Sequence, residues 1–142
     1  MEIKKHNYNQ PLPKNKYNPL SWIHPGAKIG DNCWIGSGTI ITDNVEIGDN
    51  VSISCNCCIY DHDTSFYRAT EGKVQTKHFK IKIGSHTQIG SNSVIVPRNK
   101  DLTIGDHVIA IGKSVGLPFE TVQNYSEYME GDIQRVYLPR DP

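Results

Sequence analysis

The chain has 142 residues with 15 basic and 15 acidic side chains, so its formal net charge is zero. This length predicts a single domain, and the lack of a basic excess argues against a general nucleic-acid-binding protein. No apolar run is long enough to span a bilayer, and the N-terminus lacks the apolar stretch of a signal peptide. We therefore expect a cytoplasmic protein without a membrane span.

The chain begins with a polar segment rich in Asn, Lys and Pro, and residues 1–16 are predicted to form an N-terminal arm. Beyond it, isoleucines recur every six positions. The series is Ile23, Ile29, Ile35, Ile41, Ile47, Ile53 and Ile59, then Ile83, Ile89 and Ile95, and again Ile104. A period of six fits neither an α-helix nor a two-faced strand, but it is typical of a parallel β-helix. We predict this all-β fold over residues 17–116, with three hexads in each coil.

Two other positions of the hexad carry a preference. Small residues such as Cys33, Thr39 and Cys57 stand four positions after an isoleucine, where we expect them to point inward near a corner. Glycine often follows the isoleucine directly, and we expect it to help the chain turn the corners, as Asn and Asp also do. A β-sandwich is the alternative, but its period-two alternation and irregular turns do not produce a strict repeat of six.

The rhythm is interrupted after Ile59 and does not resume until Ile83, which lies four whole hexads further on. The coil register is therefore kept, and residues 60–82 are predicted to form an extruded loop. A shorter bulge is expected at residues 97–101. The rhythm fails after Ser114, so residues 117–142 are predicted to be a C-terminal appendage, with a short helix at residues 126–130 followed by an extended tail.

The extruded loop is the place where chemistry is expected, since long loops in regular folds are often functional. It opens with Asp61-His62-Asp63. Flanking carboxylates can hold an imidazole in one tautomer, as a general base requires. The alternative is an ordinary solvated loop histidine. His78, just before the chain re-enters the repeat, is a weaker candidate for the base.

These segments together resemble the hexapeptide-repeat acyltransferases, most closely the acetyltransferases of sugars and surface polysaccharides. The resemblance is carried by Ile59-Tyr60-Asp61-His62-Asp63, by the re-entry run Lys80-Ile81-Lys82-Ile83-Gly84, and by Ile89-Gly90-Ser91. It implies a left-handed β-helix, a homotrimer, and active sites between neighbouring subunits. It also implies acetyl-CoA as the donor and a saccharide, sugar nucleotide or polysaccharide precursor as the acceptor, without a metal.

The resemblance also implies roles for particular residues. His62 is the expected general base of O-acetylation. Asp61, Asp63 and Arg68 are the expected acceptor-binding residues, although either aspartate could instead orient His62. The residues expected to bind acetyl-CoA are Gly90, Ser91, Gly112 and Lys113.

Three other functions remain open from the sequence. An N-acetyltransferase acting on an amino sugar would use the same base. A non-catalytic β-helix scaffold would not need the loop histidine. A zinc-dependent carbonic anhydrase of hexapeptide type would need three histidine ligands, and the histidine spacing here does not match that pattern.

Overall fold

The computed structural model describes residues 11–97 and 100–110 with their side chains, together with the backbone of residues 111, 121–122, 126–129 and 132–135. Short β-strands and one short helix make up the regular structure of these residues. In chain order they are β1 Trp22–Ile23, β2 Lys28–Ile29, β3 Trp34–Ile35, β4 Ile40–Ile41, β5 Val45–Ile47, β6 Ser52–Ile53, β7 Cys58–Ile59, α1 Ser65–Ala69, β8 Ile81–Ile83, β9 Gln88–Ile89, β10 Val94–Ile95, β11 Leu102–Ile104, β12 Ile109–Ile111, β13 Thr121–Val122, β14 Ser126–Met129 and β15 Asp132–Arg135. No helix in this part of the chain is long and apolar enough to cross a membrane.

The strands form three sheets, and every third strand of the repeat joins the same sheet. The first sheet contains β1, β4, β7 and β10, the second β2, β5, β8, β11 and β13, and the third β3, β6, β9, β12, β14 and β15. Trp22 lies opposite Ile40, and Ile40 lies opposite Cys58, so the partners in each of these parallel pairs are three hexads apart. The prediction of a left-handed parallel β-helix of hexapeptide repeats is confirmed.

The core runs along the axis of the prism and is filled by the isoleucine series. Its fully buried isoleucines are Ile35, Ile41, Ile53, Ile59, Ile81, Ile83, Ile89 and Ile104. Each such side chain contributes roughly 1.5–3 kcal/mol relative to an exposed one. Because the repeat stacks the same side chain above itself coil after coil, the walls around the extruded loop form a rigid support.

The small inward residues bond to the next coil near its corners. Cys57 Sγ donates to the carbonyl of Gly90 over 3.1 Å, Thr39 Oγ1 donates to the carbonyl of Ser54 over 2.7 Å, and Cys33 Sγ lies 3.1 Å from the Gly48 carbonyl. Burial raises the pKa of the Cys57 thiol. A buried, protonated thiol of this kind is a packing residue and not a nucleophile.

The glycine that often follows the isoleucine is needed for a reason other than the expected one of turning the corner. The corner residues with positive φ are mainly asparagines two positions later, such as Asn32, Asn44 and Asn50, with φ of 55–58°. At Gly36 the constraint is the next coil: an added Cβ would lie 2.6 Å from the backbone nitrogen of Cys55. Asparagine therefore turns these corners, while glycine lets successive coils approach to strand-pairing distance.

Substitution of Gly36 by Ala is expected to destabilise the protein by about 1–3 kcal/mol, because the methyl group meets backbone and not a movable side chain. Chemical denaturation measures this loss. Lys28→Ala, an exposed position of β2, is the control and should change the free energy of unfolding by less than about 0.5 kcal/mol. Equal stability of Gly36→Ala and the unaltered protein would contradict the close-approach explanation.

The predicted helix at residues 126–130 is wrong, because Ser126–Met129 is strand β14. It pairs in parallel with β12, and Ala110 lies opposite Tyr128, again three hexads further along the chain. The coil spacing thus continues where the isoleucine series has stopped. The last strand, β15, turns back antiparallel to β14. Pairing with an existing sheet edge here outweighs the weak local preference for a helix.

Candidate active site

The extruded loop leaves the prism at the corner that follows β7 and returns at β8. Its two ends are tied together, since the Phe79 backbone N–H donates to the Asp61 carbonyl over 2.9 Å and His62 forms an antiparallel bridge with His78. The helix α1 lies within the loop. Closure of the loop brings two histidines from its opposite ends into contact above the corner of the prism.

The carboxylate of Asp61 lies beneath both histidines and is completely buried. Its Oδ1 accepts hydrogen bonds from His62 Nδ1 over 2.7 Å and from Thr42 Oγ1 over 2.9 Å. Its Oδ2 accepts from His78 Nδ1 over 2.9 Å and from Asn44 Nδ2 over 2.8 Å. Thr42 and Asn44 belong to the coil below, so the prism itself fixes the carboxylate.

Burial alone would raise the pKa of the Asp61 carboxyl, because it disfavours the charged form. The hydrogen bonds from His62, His78, Asn44 and Thr42 outweigh that effect, and the pKa of Asp61 is held well below its ordinary range. The group is therefore a carboxylate at neutral pH. A carboxylate can only accept hydrogen bonds, so the Nδ1 atoms of His62 and His78 must both donate.

A neutral imidazole bonded to a carboxylate through Nδ1 must carry its proton on that nitrogen. The lone pair of the ring is then on Nε2, the nitrogen that Asp61 does not engage. The rings of His62 and His78 have centroids 4.6 Å apart. The side chain of His62 is 12% exposed and that of His78 is 40% exposed. The site therefore contains an oriented, partly shielded imidazole base beside a more accessible one.

Comparison with known proteins agrees with this architecture. Residues 22–61 match the family described as "Bacterial transferase hexapeptide (six repeats)". The chain is a hexapeptide-repeat β-helix. No curated protein is similar enough to count as a relative.

Among solved structures, the hexapeptide-repeat β-helix is similar to a hexapeptide-repeat-containing acetyltransferase from Vibrio cholerae. The TM-score is 0.56 at 19% identity, covering 82% of this chain and 70% of that one. It is also similar to an N-acyltransferase from Bacillus cereus, crystallised with dTDP and 3-hydroxybutyryl-CoA. There the TM-score is 0.50 at 16% identity, covering 82% of this chain and 76% of that one. At such identities the likeness shows a shared fold.

Two of the predicted acceptor-binding residues lie at the helix α1. Asp63 precedes the helix and Arg68 is part of it. Asp63 Oδ1 accepts a hydrogen bond from the backbone N–H of Ser65 over 2.8 Å and another from the Ser65 hydroxyl, which shapes the start of α1. Arg68 is exposed on the same helix. The structure thus places Asp61 beneath the rings, whereas Asp63 and Arg68 lie on the outer part of the loop.

The predicted acetyl-CoA-binding residues are only partly described. Gly90 donates its backbone N–H to the Ala110 carbonyl over 2.7 Å, and its own carbonyl accepts from Cys57 and Ser93. Its backbone polar groups are thus used within the β-helix, and its role in binding acetyl-CoA stays a prediction. Ser91 is exposed at the following corner. Gly112 and Lys113 lie outside the described residues.

A metal ion is the other ligand to consider at this corner. Asp61, His62 and His78 offer one ligand atom each within 4.8 Å of one another, the only such group among the residues described. Both carboxylate oxygens already accept two hydrogen bonds from protein groups. A metal bound directly to Asp61 would have to displace part of that network, so the donor set fits an orienting carboxylate better than a ligand.

Sequence reasoning missed Thr42 and Asn44 and gave little weight to His78. A signal for the first two was present, because one coil is three hexads long and Thr42 and Asn44 stand 18 residues before Tyr60 and His62, so they lie in the coil next to the start of the loop. For His78 the sequence held no comparable signal, since the loop is free of the repeat between residues 62 and 78.

Proposed function

We propose that the protein is an acyl-CoA-dependent acetyltransferase that acetylates a hydroxyl group of a sugar, sugar nucleotide or polysaccharide precursor, with His62 as general base. The observation that carries the proposal is the Asp61–His62 hydrogen bond at the corner of a hexapeptide β-helix. It leaves the lone pair of a partly shielded imidazole on Nε2, as proton removal from an acceptor hydroxyl requires.

The reaction needs no covalent enzyme intermediate, because the thioester is already activated. His62 Nε2 takes the hydroxyl proton as the hydroxyl oxygen attacks the carbonyl carbon. The new C–O bond forms, the C–S bond breaks, and the CoA thiolate leaves with the proton that His62 returns. Asp61 holds the ring in place throughout and stabilises the imidazolium that forms between the two proton transfers.

An amine acceptor is the second candidate, since the same base can deprotonate an ammonium or assist an attacking amine. The similar N-acyltransferase from Bacillus cereus shows that the fold accommodates such an enzyme.

The test is direct. The protein is incubated with acetyl-CoA and methyl glycosides of glucose, galactose, mannose and their 2-amino counterparts, and the acetylated product is identified by mass spectrometry. Free CoA is best measured by chromatography, because three of the protein's four cysteines, Cys33, Cys55 and Cys58, are partly exposed to thiol reagents.

A homotrimer is proposed as the assembly, and the outward side chains of the first sheet support it. These half-buried side chains form an apolar row, which consists of Trp22, Ile40, Cys58 and Val94. The corresponding row of the second sheet is polar and consists of Lys28, Glu46, Lys82 and Thr103, of which the first three are charged. An apolar sheet face beside a charged one is the distribution expected when only some faces meet another subunit.

Acetyl-CoA binding separates an enzyme from a non-catalytic scaffold. Because a ligand that binds only the folded state stabilises it by about 2.7 kcal/mol at one hundred times its Kd, we expect millimolar acetyl-CoA to raise Tm by at least about 5 °C. Differential scanning calorimetry measures the shift, with dephospho-CoA and acetate alone as controls. An unchanged Tm at millimolar acetyl-CoA would favour the scaffold.

A further inference from the structure

One carboxylate serves two histidines at this site, although a single general base needs only one oriented ring. His62 bonds to Oδ1 of Asp61 and His78 bonds to Oδ2, at 2.7 and 2.9 Å. Thr42 and Asn44 bond to the same two oxygens from the coil below. The two histidines are therefore held in equivalent ways by a group that cannot shift.

The shared carboxylate gives both rings the same tautomer. Each neutral ring must donate through Nδ1, so each carries its lone pair on Nε2. The ring centroids are 4.6 Å apart, and the ring planes are inclined to each other by 35°. The two Nε2 acceptors thus belong to neighbouring rings that are held by one fully buried carboxylate.

The exposure of the rings argues against a purely structural role for His78. The Phe79 N–H bond to the Asp61 carbonyl closes the loop through the backbone. The imidazole of His78 nonetheless forms a hydrogen bond to the carboxylate. The side chain of His78 is 40% exposed, compared with 12% for His62. The more accessible of the two oriented rings is the one that an approaching acceptor meets first.

We propose that His78 is a second acceptor-binding residue, and that the acceptor carries two neighbouring hydroxyl groups. This rests on the proposed function. His62 Nε2 removes the proton from the attacking hydroxyl. His78 Nε2 accepts a hydrogen bond from the neighbouring hydroxyl of the acceptor and takes no part in proton transfer. Neighbouring hydroxyl oxygens of a sugar ring lie roughly one hydrogen-bond length apart, about 2.8 Å. Two imidazoles at this separation can each reach one oxygen of such a pair.

The first test concerns the tautomers and requires no acceptor. Long-range ¹H–¹⁵N correlation spectra of ¹⁵N-histidine-labelled protein at pH 8 should show Nδ1–H tautomers for both His62 and His78. Asp61→Asn should change the tautomer equilibrium of at least one of the two rings, because only one oxygen remains to accept from Nδ1. A neutral His78 with its proton on Nε2 would overturn the proposal, because that nitrogen could not accept a hydrogen bond.

The second test separates acceptor binding from loop structure. In His78→Asn the amide can replace the Nδ1–H donor to Asp61, but the Nε2 acceptor is lost. Whichever methyl glycoside is acetylated is compared with its deoxy analogues that lack one hydroxyl beside the acetylated position. Removing the correct hydroxyl should lower kcat/KM of the unaltered protein roughly 10–100-fold, mainly through KM. Removing the same hydroxyl should lower kcat/KM of His78→Asn less than about threefold, because this variant already lacks the Nε2 atom that would bond to it.

The outcomes distinguish this inference from the proposed function. Equal losses on deoxygenation in both proteins would overturn the role of His78 while leaving acetyl transfer intact. Full kcat/KM of His78→Asn with the complete glycoside would show a structural role and would also overturn it. Failure to acetylate any glycoside or amino sugar would contradict the proposed function, and this inference with it.

Discussion

Replacement of His62 by Ala is expected to lower kcat by about 10²–10⁴-fold, the usual contribution of a positioned general base. Asp61 keeps three of its four side-chain donors in this variant, and His62 is already partly exposed, so the fold should be retained. The rate of CoA release is measured under saturating acetyl-CoA with the best acceptor from the glycoside panel. The acetyl-CoA-induced rise in Tm should be unchanged, because the base does not hold the donor.

His86→Ala is the matched control for this experiment. His86 lies at a different corner of the prism, where its ring stacks on His107 with centroids 5.0 Å apart. The substitution removes the same side chain from an exposed corner of the same β-helix and should leave kcat within twofold. Activity of His62→Ala within a few-fold of the unaltered protein would contradict the assignment of the base.

Substitution of Asp61 by Asn is expected to lower kcat by about 10³-fold or more, as in catalytic triads whose orienting carboxylate is replaced by an amide, so that the histidine takes the wrong tautomer. The physical reason is a mismatch of donors. Two donors approach each oxygen of Asp61, and an amide must offer its NH₂ group to one of those pairs. The NH₂ group is expected at the Oδ1 position, because the Thr42 hydroxyl there can also accept a hydrogen bond, whereas the Asn44 NH₂ group at Oδ2 cannot. His62, which shares the Oδ1 position, then loses its orientation.

The same substitution is expected to reduce the free energy of unfolding by about 3 kcal/mol at pH 7, since buried hydrogen bonds to a charged group are lost. The pKa of Asp61 is lowered in the folded protein, so its contribution is complete above the ordinary aspartate pKa of about 3.9 and is lost as the pH falls through the lower folded value. The difference in stability between the two proteins should therefore be constant from pH 7 to 5 and shrink below about pH 4.

Urea denaturation at several pH values measures this difference. Asp63→Asn is the control, because the Asp63 side chain is exposed and bonds within the loop to Ser65. Its stability should follow that of the unaltered protein throughout the pH range. A difference for Asp61→Asn that persists unchanged at pH 3 would show that the carboxylate charge is not what stabilises the corner.

Several features of the fold follow from the sequence because they are periodic. The isoleucine at every sixth position specifies which side chains fill the axis, and the whole number of hexads between Ile59 and Ile83 specifies that the extruded loop returns in register. The inward position of Cys57 follows from the same counting. The need for glycine at position 36 does not follow from this counting, because the close approach of Gly36 to Cys55 depends on the distance between coils and not on the order of residues.

The C-terminal strands show the opposite case. Tyr128 occupies the expected coil position relative to Ala110, but no isoleucine marks it. A strand at the end of the β-helix gains its stability from the sheet edge already present, so its own sequence need not carry the pattern. Local sequence alone therefore favoured a helix there.

The sequence by itself determined the β-helix and the position of His62 in it, because each hexad repeats the same inward isoleucine and the break in the repeat marks the loop that carries His62. Only the tertiary structure decided which groups surround that histidine. Asn44 reaches Asp61 from one coil below, and His78 reaches it from the far end of a loop without any periodicity. Both contacts depend on distances across the stack of coils and across the closed loop, which the order of residues along the chain does not contain.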